Sequence, residues 1–216
     1  MKQETKSWDA PQAGRRGVIF CVLALAAFSV GAQVLEERLK KVLADPVARK
    51  SAMAAAKSVT FFCANCHGED GNSALGEVPN LASQHPIYLL TQIEKYVKGQ
   101  RRNKFKEGLM KVLSEDDRIN AAIFYSSQVV RRVGAGTSVA GQSLYKQQCV
   151  ACHDEKGQGT ETIPRVAGQQ SEYLIQSMSR YRDRTGERIY TPMVASTAGL
   201  KDQDIEAIAA FLSGLH

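Results

Sequence analysis

Two five-residue segments constrain this chain more than any other feature: Cys63-Ala64-Asn65-Cys66-His67 and Cys149-Val150-Ala151-Cys152-His153. They hold four of the five cysteines, and each pair is followed at once by a histidine. They also anchor an internal repeat. Cys63, Cys66, His67 and Gly71 recur as Cys149, Cys152, His153 and Gly157, offset by 86. Pro79, Ala82, Gln84, Tyr88, Leu89 and Tyr96 recur as Pro164, Ala167, Gln169, Tyr173, Leu174 and Tyr181, offset by 85. Leu113, Asp117, Ala122 and Phe124 recur as Leu200, Asp204, Ala209 and Phe211, offset by 87. A drift of one or two residues is what loop insertions produce. A period of this length, present twice, marks tandem domains rather than a solenoid. The break falls in the small-residue stretch Val133-Gly134-Ala135-Gly136-Thr137-Ser138, giving units 33–133 and 134–216.

The composition fits two such units. Of 216 residues, 44% are hydrophobic and 23% charged, which excludes a disordered chain and a multi-pass membrane protein. The net charge is +6, without the sustained Lys/Arg tracts of a nucleic-acid-binding arm, so no nucleic-acid partner is expected. Residues 1–32 read as an export signal: Arg15 and Arg16, an uncharged apolar run over 18–30, then small residues up to Ala32. Thirteen apolar residues rise about 20 Å as a helix, short of a bilayer core of about 30 Å. An uncleaved, tilted anchor is the alternative. Export places the chain in the periplasm, soluble or peripherally associated with a membrane.

Both units read as helical, and no stretch alternates with period two, so the expected fold class is all-α. Helices lead into each Cys segment over 54–62 and 141–148. Tyr88, Leu89, Ile93, Tyr96 and Val97 form one helical face, echoed by Tyr173, Leu174, Met178 and Tyr181. Ser114, with Asp117 three residues on, resembles a capping box opening the last helix of the first unit. Residues 33–52 add a helix, with Val34, Leu35, Leu39, Val42 and Leu43 on one side and a break or restart at Asp45-Pro46.

Cys-x-x-Cys-His is the attachment pattern of haem c: two thiols three residues apart reach the two vinyl groups of one porphyrin, and the histidine projects towards the iron. Three rivals use the same cysteines. Zinc would need the pairs brought together across 82 residues and leaves each histidine unexplained. A redox pair wants a strand–helix context, and two short disulfide loops again leave the histidines idle. On the haem reading Cys63, Cys66, Cys149 and Cys152 carry two covalent haem c groups, with His67 and His153 as iron ligands. The sixth ligands read as Met110 and Met193, which lie 43 and 40 residues after their histidines, just before each last helix. Met178 aligns with Ile93 and reads as core, and Met53 as helix surface or core. His85 aligns with Gln170 and reads as structural. Pro79 and Pro164 follow their histidines by twelve and eleven residues, where a proline turn can aim a carbonyl at the imidazole N–H; a simple loop proline is the alternative.

At these residues the chain resembles class I cytochromes c, and within them the dihaem cytochrome c4 family. The likeness runs over Cys63–Ser73, Pro79–Leu89 and their counterparts around Cys152, Gly157 and Pro164–Gln169, covering about residues 53–216. It implies two tandem class I domains, each with a His/Met haem, acting as a periplasmic one-electron carrier. The implied partners are redox proteins, such as a terminal haem–copper oxidase or reductase and a quinol-oxidising complex. Two departures stand out: the added 33–52 helix, and Asp154 where the first unit has Gly68, which leaves the turn geometry there in question. A six-coordinate iron leaves no open position, so the chain reads as a carrier and not an enzyme. The alternatives are a haem subunit of a larger dehydrogenase or reductase and a dihaem peroxidase.

A linker of about six residues spans at most about 20 Å, so the two units are expected to pack together. Charge is uneven between them. Residues 33–133 carry 16 basic and 11 acidic side chains, and 134–216 carry 8 and 9. The excess lies in Lys95, Lys98, Arg101, Arg102, Lys104 and Lys106, read as a patch that steers an acidic partner or an anionic membrane face, or else as a solvated loop.

Overall fold

Helices supply all the regular structure of the computed structural model, which describes residues 33–134, 136–185 and 190–215; no strand occurs among them. The expected export signal, 1–32, lies outside the described residues. α1 covers residues 33–44. Asp45 then caps α2 (Pro46–Val59), its carboxylate accepting the Val47 and Ala48 N–H groups at 2.8 and 3.3 Å. Pro46 sits at the first helical position, where its missing N–H leaves nothing unpaired. Asp45-Pro46 therefore ends one helix and starts the next. α1 belongs to the core of the first half: Leu35 and Leu39 are buried with Ala52, Leu90, Ile119 and Ile123. Burying one such side chain contributes about 1.5–3 kcal/mol.

The run into the first Cys segment is not one continuous helix. α2 stops at Val59, and α3 (Phe61–His67) starts afresh after Thr60, whose buried hydroxyl donates to the Ala56 carbonyl at 2.8 Å. α4 (Pro86–Val97) follows a long loop. α5 (Lys104–Val112) is a helix that the sequence pattern did not announce. α6 (Glu115–Ser126) opens on the expected box: Ser114 N–H donates to Asp117 and Asp117 N–H to the Ser114 hydroxyl, both at 3.1 Å.

The second half repeats this order as α7 (Val139–Gln148), α8 (Val150–His153), α9 (Ser171–Asp183), α10 (Thr191–Thr197) and α11 (Asp202–Ser213). Its core holds Tyr145, Leu174, Met178, Ile205, Ile208 and Leu212. In each half the last helix crosses the helix that precedes the Cys segment, α6 on α2 and α11 on α7. The second crossing is close because Gly141 has no side chain: a Cβ there would lie 1.9 Å from the Ala207 carbonyl oxygen.

The halves pack face to face through polar groups. The Tyr173 N–H at the start of α9 donates to the Gly76 carbonyl at 3.0 Å. The Gln170 amide donates to Ser73 O at 2.7 Å and the Asn80 amide to Gly168 O at 3.0 Å. The Gly134 N–H donates to Ser213 O at 3.2 Å, which ties the start of the linker to the end of α11. No helix among the described residues is long and apolar enough to cross a membrane.

Candidate functional site

α3 carries Cys63, Cys66 and His67 within seven residues, and α8 carries Cys152 and His153, with Cys149 at its N-cap. Each helix ends on a residue with positive φ: Gly68 at φ 80, ψ 155 and Asp154 at φ 62, ψ 174. The turn that the sequence left in question is thus the same in both halves. Behind it, the Gly71 carbonyl accepts the Leu81 and Ala82 N–H groups at 2.7 and 3.1 Å. The Gly157 carbonyl takes those of Val166 and Ala167 at 2.8 and 3.0 Å. These bonds fold each proline loop back onto its histidine.

The result is a matched pair of imidazole mounts. His67 Nδ1 lies 2.8 Å from the Pro79 carbonyl and His153 Nδ1 2.9 Å from that of Pro164. A carbonyl only accepts, so Nδ1 carries the proton and Nε2 keeps its lone pair. Burial, helped by the Lys106 and Arg101 charges and opposed by the Pro79 bond, brings the His67 pKa down to about 4. Burial also lowers that of His153, against its Pro164 bond and the Asp154 charge. Both rings are therefore neutral, the form that binds a metal.

A continuous cavity of about 630 Å³ joins the halves, and all eight candidate residues line it: both Cys pairs, both histidines, Met110 from α5 and Met193 from α10. Its walls include Leu81, Leu89 and Tyr96 on one side and Val166, Leu174 and Tyr181 on the other. Met178 lines it too, from within the second core, while Met53 packs against the first. His85 serves the interface, its Nε2 2.6 Å from the Gln158 carbonyl of the other half. The Cys pairs do not converge on a zinc site, for no group of three or more His, Cys, Asp or Glu among the described residues could hold a metal ion. Neutral imidazole, thioether and paired thiols in an apolar cleft fit a covalently held iron porphyrin.

The basic stretch divides. Lys95, Arg101 and Lys106 line the cavity, whereas Lys98, Arg102 and Lys104 are exposed. Arg101 and Lys106 stand 4.8 and 5.7 Å from the centroid of the buried Tyr96 ring, and Arg101 also donates to Gln92 at 3.0 Å. Burial, with Arg101 nearby, pushes the Lys106 ammonium pKa down. Tyr96, which recurs in the repeat, was the signal that part of this stretch turns inward. Phe62 and Phe105 line the cavity and are also exposed.

Both halves of the chain are similar to known proteins. The family model described as cytochrome c matches residues 52–122 and 138–216. Cytochrome c4 of Pseudomonas aeruginosa is 30% identical over 177 residues, spanning 76% of this chain and 88% of that protein. The crystal structure of reduced recombinant cytochrome c4 from Pseudomonas stutzeri superposes with a TM-score of 0.69 at 28% identity, covering 76% of this chain and 98% of that one. A protein of Stutzerimonas stutzeri described as a thiosulfate dehydrogenase electron acceptor is 27% identical over 177 residues, covering 74% of this chain and 82% of its own.

Proposed function

Because this chain belongs to the cytochrome c4 family of dihaem electron carriers, with two covalently bound haem c groups, we propose that each half mounts one iron on its own residues. Cys63 and Cys66 would hold the first haem, with His67 and Met110 as ligands to its iron. Cys149 and Cys152 would hold the second, with His153 and Met193 as ligands to its iron. The bound haems supply one-electron exchange between ferrous and ferric iron. The chain's part is to fix each imidazole by its proline carbonyl, supply a thioether from each half to the cavity and keep water out with apolar walls. The observation that carries this reading is the repeated mount, with Nδ1 at 2.8 and 2.9 Å from Pro79 and Pro164 and a methionine in each half lining the same cavity.

The test is optical. The ferric protein should show the weak far-red sulfur-to-iron band, and Met110→Ala and Met193→Ala should each remove about half of it. A full band in either variant reassigns that ligand.

Electrons then pass to a terminal oxidase or reductase on the periplasmic side, with the exposed Arg102 and Lys104 steering an acidic partner. Charge reversal of these two residues should slow the reaction at low salt and flatten its salt dependence, since screening acts over about 8 Å at physiological ionic strength. The likeness to a thiosulfate dehydrogenase electron acceptor favours a second reading, in which the chain accepts electrons from a dehydrogenase. Stable co-elution with a dehydrogenase on native gel filtration would select it.

A further inference from the structure

Each carbonyl that fixes a histidine belongs to a peptide whose N–H faces the other half. The Pro79 carbonyl and the Asn80 N–H share one peptide unit, and that N–H donates to Gln169 Oε1 at 2.7 Å. The Pro164 carbonyl shares its unit with the Arg165 N–H, which donates to Gln84 Oε1 at 2.8 Å. Each amide closes a second bond, Gln169 Nε2 to Asn80 O at 3.0 Å and Gln84 Nε2 to Arg165 O at 2.9 Å. Each Oε1 also receives the next N–H along its own chain, from His85 at 3.1 Å and from Gln170 at 2.9 Å, which fixes the side chain. Asn80, Gln84, Arg165 and Gln169 are all buried. Hydrogen bonds thus run unbroken from Gln169 through the Pro79–Asn80 peptide to His67, and from Gln84 through the Pro164–Arg165 peptide to His153.

We infer that Gln84 and Gln169 are positioning residues that act in trans, each setting the electron-donating strength of the histidine in the opposite half. This rests on the reading of His67 and His153 as iron ligands. A peptide whose N–H is accepted carries more negative charge on its oxygen, strengthening the next bond by roughly 10–30%. A stronger acceptor at Nδ1–H makes the imidazole a better donor at Nε2 and favours ferric iron. Each glutamine therefore lowers the reduction potential of the iron it does not share a half with. The histidine-to-proline bond lies within one half, and the glutamine links it to the other.

The experiment uses the dihaem protein with Gln169→Met and Gln84→Met, an unbranched side chain of similar reach without the amide. Each iron is titrated spectroelectrochemically, with the halves assigned from the shifted histidine-ring and methionine-methyl signals of the ferric NMR spectrum. Gln169→Met should raise the ferrous-to-ferric ratio of the first half about threefold at fixed applied potential, roughly 30 mV at 59 mV per tenfold, and leave the second half unmoved. Gln84→Met should do the reverse. Gln169→Glu keeps an acceptor for the Asn80 N–H and should not raise the first potential. Unmoved potentials, or a shift in the half that carries the substitution, overturn the inference. So does an equal shift of both irons with an expanded molecule in X-ray scattering, which means the halves have come apart. Absence of ligated-histidine signals in the unsubstituted protein fails the ligand reading instead, and the two failures are thereby distinct.

Discussion

In the first half the residue after the mounted histidine is Gly68, and in the second it is Asp154, yet both stand at positive φ with extended ψ. Glycine reaches that region freely, and the first half depends on this: a Cβ at Gly68 would lie 2.3 Å from the Asn72 carbonyl oxygen. Aspartate reaches it at a cost of about 1–3 kcal/mol, and three bonds offset the strain. Its Oδ1 accepts the Lys156 and Gln158 N–H groups at 2.7 and 3.1 Å, and its carbonyl accepts the Tyr145 hydroxyl at 2.6 Å. A shared backbone path is thus compatible with two solutions, one by absence of a side chain and one by its hydrogen bonds. The cores differ in the same spirit. α4 and α6 are joined by the Arg118–Glu94 ion pair at 2.6 Å, whose side chains are only 12% and 11% exposed. The corresponding residues of the second half are Ile205 and Ser179, with Ile205 wholly buried.

That contrast can be broken by substitution, and the ion pair is where the largest effect is expected. Arg118→Ala leaves the Glu94 carboxylate in a largely dry setting and should cost about 3 kcal/mol in denaturant unfolding of the first half, with Lys98, 3.7 Å away, softening the loss. Pairing Glu94→Ser with Arg118→Ile copies the second half and should recover most of it. A single Arg118→Ala without measurable loss would show that the pair is idle.

Next in size is the turn. Gly68→Asp imports the second half's residue without its supporting bonds and should destabilise by about 2–3 kcal/mol. Asp154→Gly sheds strain and loses two bonds, and should stay within about 1 kcal/mol of the unsubstituted protein. Equal losses at both positions would mean that the turns are not equivalent.

The smallest effects should differ in sign. Tyr125 has its hydroxyl buried without a hydrogen-bond partner among the described residues, and burial pushes its pKa up. Tyr125→Phe removes an unpaired polar group and should stabilise the first half by up to about 1 kcal/mol, whereas Tyr145→Phe gives up the bond to Asp154 and should cost about 1 kcal/mol. Thermal midpoints moving the same way in both variants would refute this.

Much of this organisation was legible in the residues. The two Cys segments and the three repeat offsets point to two helical units, and the spacing of Pro79 and Pro164 anticipated the imidazole mounts. Ser114 and Asp117 announced their capping box. Other features are marked faintly or not at all. α5 buries none of its residues and rests on local bonds: Asn103 caps it by accepting the Lys106 N–H at 3.0 Å, and the Asn103 N–H donates to Glu107 at 2.9 Å. At the break, Thr60 turns its buried hydroxyl back to the Ala56 carbonyl, a contact that no pattern announces. The basic stretch reads as one patch until Tyr96 is seen beneath Arg101 and Lys106. Gln84 and Gln169 stood out as repeated residues, but their partners lie 81 and 89 positions away in the chain, beyond what any periodicity can indicate.

The chemistry of the joint between the halves bears on how the chain is made. Synthesis completes the first half before the second exists. Had the joint been a sheet of leucines, a finished first half would present a sticky surface to every neighbour while it waited. Its docking face instead offers Ser73, Gly76, Asn80, Gln84 and His85, groups that water can satisfy until Gln169, Gln170 and Tyr173 arrive. Late docking then exchanges solvent bonds for protein bonds one by one, an assembly step with little aggregation hazard.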